Sequence, residues 1–144
     1  FLEVSTQFWP QVSLIFESDK QLFEKIEDFC SAYIAKVLEN PYIPMFVLNE
    51  MNQNPEFFFR KIWKSGPPKL GKFVQQIDDD IKANKIKPVS PVQLLMNMIS
   101  MCVFPFIGKA IFQAAIGLDD LQYRLLLEQR KQDVPRFIIE SIKK

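Results

Sequence analysis

The stretch PVSPVQLLMNMISMCVFPFIG, residues 88–108, carries no charged side chain. Its start is marked for helix: Ser90 can cap, Pro91 suits the first helical position, and Gln93 stands three residues after Ser90 in a capping-box pattern. Beyond that start, Leu94, Leu95, Met96, Met98, Ile99, Met101, Cys102 and Val103 take up most of the circumference. Gln93, Asn97 and Ser100, spaced four and three apart, form one thin polar stripe. A helix with so little polar surface has to be covered on nearly every side. It is the central helix of a core, a helix shared between a core and a partner subunit, or a membrane span, which needs roughly 18 to 25 apolar residues. The span is the least favoured. Gln93, Asn97 and three prolines interrupt it, and the flanking segments read as amphipathic helices with charged outer faces.

Outward from this helix, punctuation separates helices rather than strands, and no segment alternates convincingly. Residues 1–16 place Phe1, Val4, Phe8, Val12 and Ile15 at helical spacing, with Pro10 as a kink or a start. Ser18 and Gln21 form a second capping-box pattern ahead of the clearest amphipathic helix, whose apolar positions include Leu22, Ile26, Phe29, Cys30, Tyr33, Ile34, Val37 and Leu38. Asn40, Pro41 and Pro44 end it and open another helix to Asn52. Asn54 then caps a short helix that Pro55 begins. Leu70, Phe73, Val74, Ile77 and Ile81 mark the next helix, which gives way near Asn84. Pro105 and Gly108 bend or divide the apolar region, Gly117 ends it, and Asp119 with Gln122 caps a final helix kinked at Pro135. The expectation is an all-α bundle of eight or nine helices. At 144 residues it is one domain spanning 1–144, long enough to bury a sizeable core.

Charge and cysteine usage narrow the class of protein. Eighteen basic against seventeen acidic residues give a net charge of +1, without the basic excess of a nucleic-acid surface, so this chain by itself is not expected to bind DNA. Cys30 and Cys102 sit inside apolar helical patterns and read as buried thiols, which places the protein in the reducing cytoplasm. The chain starts at Phe1 inside a hydrophobic pattern and reads as a piece of something longer.

Reactive chemistry is represented mainly by absences. There is no histidine, which removes the commonest general base and metal ligand and every Ser-His or Cys-His nucleophile. The four glycines, at 66, 71, 108 and 117, build no phosphate loop. Asp78, Asp79 and Asp80 point about 100° apart on a helix and do not converge on a cation; a solvated face is the reading preferred for them. Glu50, interrupting residues 45–51, is either a carboxylate facing a cavity or, by preference, an exposed one. No enzyme, metal or cofactor is therefore expected. Fourteen phenylalanines are more than a small bundle needs, and Phe57, Phe58 and Phe59 cannot share one helical face. Aromatic and methionine side chains gathered from several helices suit either core packing or an adaptable pocket for an apolar ligand.

Three stretches, NPYIPMFVLNEMNQNPEFF (40–58), MISMCVFPFIGKAI (98–111) and LLEQRKQDVPRFIIESI (126–142), resemble the C-terminal domain of TetR-family transcriptional regulators. The resemblance covers about the last hundred residues, and the first forty fit by helix pattern. It implies the effector-binding and dimerisation domain of a bacterial regulator, of the repressor type, whose N-terminal helix-turn-helix domain is absent from this chain. DNA would be a partner only through that absent domain. The lack of histidine rules out carrying over the histidine-assisted metal-tetracycline site of the family's namesake. The resemblance further implies a homodimer through the two long helical segments nearest the C-terminus. Their seam would comprise Leu95, Phe104 and Phe106 with Leu121, Tyr123, Leu127, Arg130, Val134 and Phe137. It also implies a cavity for a small apolar effector. Helix faces that must converge put Phe8, Trp9 and Val12, then Tyr33, Phe46 and Trp63, then Met96 and Ser100 on its wall. An enzyme or carrier using the same cavity for a lipid-like molecule, and a structural helical module, are the alternatives.

Overall fold

A computed structural model describes residues 2–144, with side chains from Thr6 onward; Phe1 and the Val4 side chain lie outside the described residues. The described residues form eight helices: α1 (Leu2–Glu17), α2 (Leu22–Glu39), α3 (Ile43–Gln53), α4 (Pro55–Ile62), α5 (Gly71–Lys82), α6 (Pro91–Ile107), α7 (Lys109–Ile116) and α8 (Asp120–Ile142). The only β pairing among them is a single antiparallel bridge between Ile86 and Lys143, where the Lys87 N–H donates to the Ile142 carbonyl at 2.7 Å. That bridge ties the loop before α6 to the end of α8.

Local signals set several helix ends. Ser90 Oγ accepts from the Gln93 N–H at the start of α6, and Asn54 Oδ1 does the same for Phe57 at α4. Asp119 and Gln122 form a reciprocal capping box at α8, with bonds of 2.7 and 2.9 Å. Gly117 closes α7 in the left-handed region, where a Cβ would be strained. The expected box at Ser18 and Gln21 does not form. Ser18 Oγ instead donates to the Ile15 carbonyl, closing the end of α1, and α2 begins after Gln21 without a side-chain cap. The same hydroxyl oxygen accepts from the Lys20 N–H at 3.4 Å, ahead of α2, rather than from the Gln21 N–H that a capping box there would use.

The helix at the centre of the core is α2, which buries Leu22, Ile26, Phe29, Cys30 and Ile34 and packs most extensively on α8, with α6 beside both. Phe16 of α1 and Phe73 of α5 stack into this core, their ring centroids 4.5 Å apart. The α6 helix buries only the seam Leu94, Met98 and Cys102, and leaves Val92, Met96, Ile99 and Phe104 exposed. Leu95, Met101 and Phe106 are partly buried against the core. Among the described residues no single helix is long and apolar enough to cross a membrane; α6 and α7 have the composition only together, and they meet at 67°. Gly108 makes that junction, and a Cβ there would lie 2.9 Å from the Phe104 ring.

Candidate ligand cavity

A cavity of about 310 Å³ lies between α1, α2, α3, α4 and α6. Phe8 and Trp9 enter from α1, and Tyr33, Lys36 and Val37 from the C-terminal half of α2. The short helix α3 contributes Ile43, Pro44, Val47, Leu48 and Met51; α4 and the residue after it contribute Phe58, Phe59, Ile62 and Trp63. Ile99, Val103 and Ile107, spaced four apart on α6, complete the wall. The volume stands at the low end of the roughly 300–1,000 Å³ typical of small-molecule sites.

One end of the wall is aromatic. The Trp9 and Trp63 rings meet edge to face at 5.7 Å, Phe59 lies against Trp63 at 4.6 Å, and Phe8 contacts both Trp9 and Tyr33. The Asn54 cap and Pro55 orient α4 so that its three consecutive phenylalanines separate. Phe58 and Phe59 reach the cavity, while Phe57 stays exposed beneath the Lys61 ammonium, 4.3 Å from the ring centre.

Polar groups on the wall are few. Burial pushes the Tyr33 phenol up, which keeps it protonated and a hydrogen-bond donor. The indole N–H of Trp63 is buried and has no acceptor among the described residues. Among the described residues Lys36 is the one charged residue lining the cavity, and its ion pair with Glu39 is long, at 3.9 Å. Behind the wall, the Cys102 thiol is pushed up by its hydrogen bond with Cys30 and then by burial; both thiols are free and buried. No group of three or more acidic or cysteine side chains able to hold a metal occurs among the described residues.

Of the eight residues expected on the wall, Phe8, Trp9, Tyr33 and Trp63 line the cavity. The other four are elsewhere. Val12, one turn beyond Phe8, is buried in the main core, because α1 has by then passed from the cavity to α5. Phe46 lies on the exposed side of α3, and Met96 and Ser100 on the exposed side of α6. Ile99 and Ser100 diverge by about 100° as adjacent helical residues, so the face carrying Ile99, Val103 and Ile107 takes the cavity and leaves the polar stripe outside. The residues missed were α3's set, Lys36 and Val37 of α2, Phe58, Phe59 and Ile62 of α4, and Ile99, Val103 and Ile107 of α6. The three-and-four spacing of Ile43, Val47 and Met51 and of Pro44 and Leu48 was visible, but not which neighbour α3 would lean on.

The residues expected at a subunit seam divide in the same way. Tyr123, Leu127 and Val134 are buried in the chain's own core and are not free to meet a partner. Arg130 is held against α6 by a bond to the Met101 carbonyl, and Leu95 and Phe106 pack partly on the core. Phe104, Leu121 and Phe137 are exposed, together with Ile111, Ile116, Leu125 and Leu126.

No protein-family model matches this sequence, and no curated protein matches it.

Proposed function

We propose that this chain is the effector-sensing and dimerisation domain of a bacterial TetR-like transcriptional regulator, acting as a repressor in the cytoplasm. The observation that carries the sensing role is the apolar cavity walled by side chains from five helices, with both tryptophans of the chain on its wall. The exposed apolar side chains from α6 to α8 support assembly into a homodimer, since exposed apolar surface of this extent marks an interaction site. In this reading a ligand shifts the balance between two arrangements of the dimer and so alters DNA binding by a helix-turn-helix domain outside this chain. By linkage, DNA would weaken ligand binding by the same factor.

The test uses 1-decanol as an apolar probe and the intrinsic fluorescence of Trp9 and Trp63 as the readout. Saturable binding is expected, and filling the cavity with Val103→Phe should weaken it at least tenfold while the helical spectrum is unchanged. Absence of binding by the unmodified chain would remove the sensing role and leave a structural helical module.

A further inference from the structure

We infer that the cavity's ligand is a monoanionic amphiphile, a carboxylate whose head is met by Lys36 and whose apolar body of about ten heavy atoms fills the space toward Trp63. This rests on the sensing role proposed above and names the ligand's chemistry. The size follows from the volume: at about 30 Å³ per water-sized group, 310 Å³ holds on the order of ten such groups.

The sign of the head follows from the wall. Lys36 is the only charged residue on it among the described residues, so a cationic ligand is repelled, and a neutral acceptor gains only a hydrogen bond from the ammonium where an anion gains a charged one as well. The Lys36 side chain is about one-third exposed, and its 3.9 Å approach to Glu39 is a loose surface pair of little worth, so the ammonium can turn to a ligand without a large loss. A single cation balances a single charge. A phosphate monoester would bring a second negative charge with no partner on this wall, whereas a carboxylate brings one charge on two oxygens. The rest of the wall, from Ile43 and Val47 to Val103 and Ile107, offers only apolar contact, which a hydrocarbon body satisfies.

Three probes of one chain length separate the possibilities: decanoate, 1-decanol and decyltrimethylammonium, each titrated at neutral pH against Trp9 and Trp63 fluorescence. The unmodified chain should bind the cation most weakly. The ratio of the decanol to the decanoate Kd should fall about tenfold in Lys36→Met and be kept in Lys36→Arg, as expected when a charged hydrogen bond is lost or preserved. Circular dichroism should be the same for all three proteins, because Lys36 lies at the rim and not in the core. An unchanged ratio in Lys36→Met, or equal binding of cation and anion, would overturn the assignment of an anionic ligand while leaving the sensing cavity standing. If decanol also fails to bind, the cavity reading itself falls, and the ligand assignment falls with it.

Discussion

Arg130 of α8 donates from Nη2 to the main-chain carbonyl of Met101 at 2.8 Å, and Met101 is the residue four before Pro105. A proline has no N–H to give to the carbonyl one turn back, so Met101 would otherwise end with an orphan acceptor inside the fold. The carbonyl of Pro105 itself, stranded where α6 stops, accepts from the Tyr123 hydroxyl at 2.6 Å. Two side chains of α8 thus make good what the proline and the end of α6 leave open. That is how an uncharged helix can bend at Gly108 without leaving these two carbonyls unpaired.

Replacing Arg130 by Met should destabilise the protein by about 1–3 kcal/mol, the cost of an unmatched buried polar group. In a Pro105→Ala background the new N–H can serve Met101, so the same replacement should cost less. Urea denaturation of the four proteins measures the coupling, expected at about 0.5 kcal/mol or more. Strict additivity would show that the Arg130 bond does not compensate for the proline.

Loss of the Asp119 cap should be felt through α8, the longest helix and the main partner of α2. Asp119→Ala removes one half of a reciprocal box and should cost about 0.5–2 kcal/mol in the same assay. Ser18→Ala should be felt at the end of α1 more than at the start of α2, since that hydroxyl donates to the Ile15 carbonyl at 2.8 Å and accepts from the Lys20 N–H, ahead of α2, only at 3.4 Å.

Glycine replacements should differ between the two ends of α7. At Gly117, with φ +80°, alanine should cost about 1–2 kcal/mol. At Gly108 the new methyl meets only the edge of the Phe104 ring, which is half exposed and can turn away, so the smaller thermal shift is expected there.

Lys25 is 1% exposed and its ammonium donates to the Phe16 carbonyl at 3.0 Å. Burial first, and then the neighbouring Lys72, hold its pKa below the ordinary lysine value, with Asp19 opposing. Between that lowered value and the ordinary lysine range, the unfolded chain binds more protons than the folded one, so stability attributable to Lys25 rises with pH there. The difference in unfolding free energy between the natural chain and Lys25→Met should therefore grow in the natural chain's favour from neutral pH toward pH about 10. A difference independent of pH would contradict it.

Assembly can be separated from folding by two leucines of α8. Leu127, 7% exposed, belongs to the core, so Leu127→Asp should unfold the chain. Leu121, 69% exposed, should tolerate Leu121→Glu with its helical spectrum intact while sedimentation shifts from dimer to monomer. A natural chain that sediments as a monomer at micromolar concentration would remove the proposed dimer.

Helical class and helix ends were legible in the residues because they are set within a few positions: Asn54 to Phe57, Ser90 to Gln93, Asp119 to Gln122, and Gly117 in its left-handed turn. The helix expected in residues 88–108 forms, and the chain itself buries only its Leu94, Met98 and Cys102 seam. What periodicity could not supply was rotation and neighbour. It marked Val12 and Phe8 as apolar alike, yet one turn along α1 takes Val12 into the core and leaves Phe8 on the cavity wall, and it marked Leu121 and Tyr123 alike although they lie on nearly opposite sides of α8, one at the surface and one in the core. The helix-to-helix packing decided that Ile99 and Val103, not Met96 and Ser100, face the cavity, and that α3 walls it. It also brought a lysine of α2 to the cavity's rim, because these placements depend on residues far apart in the chain meeting across the core.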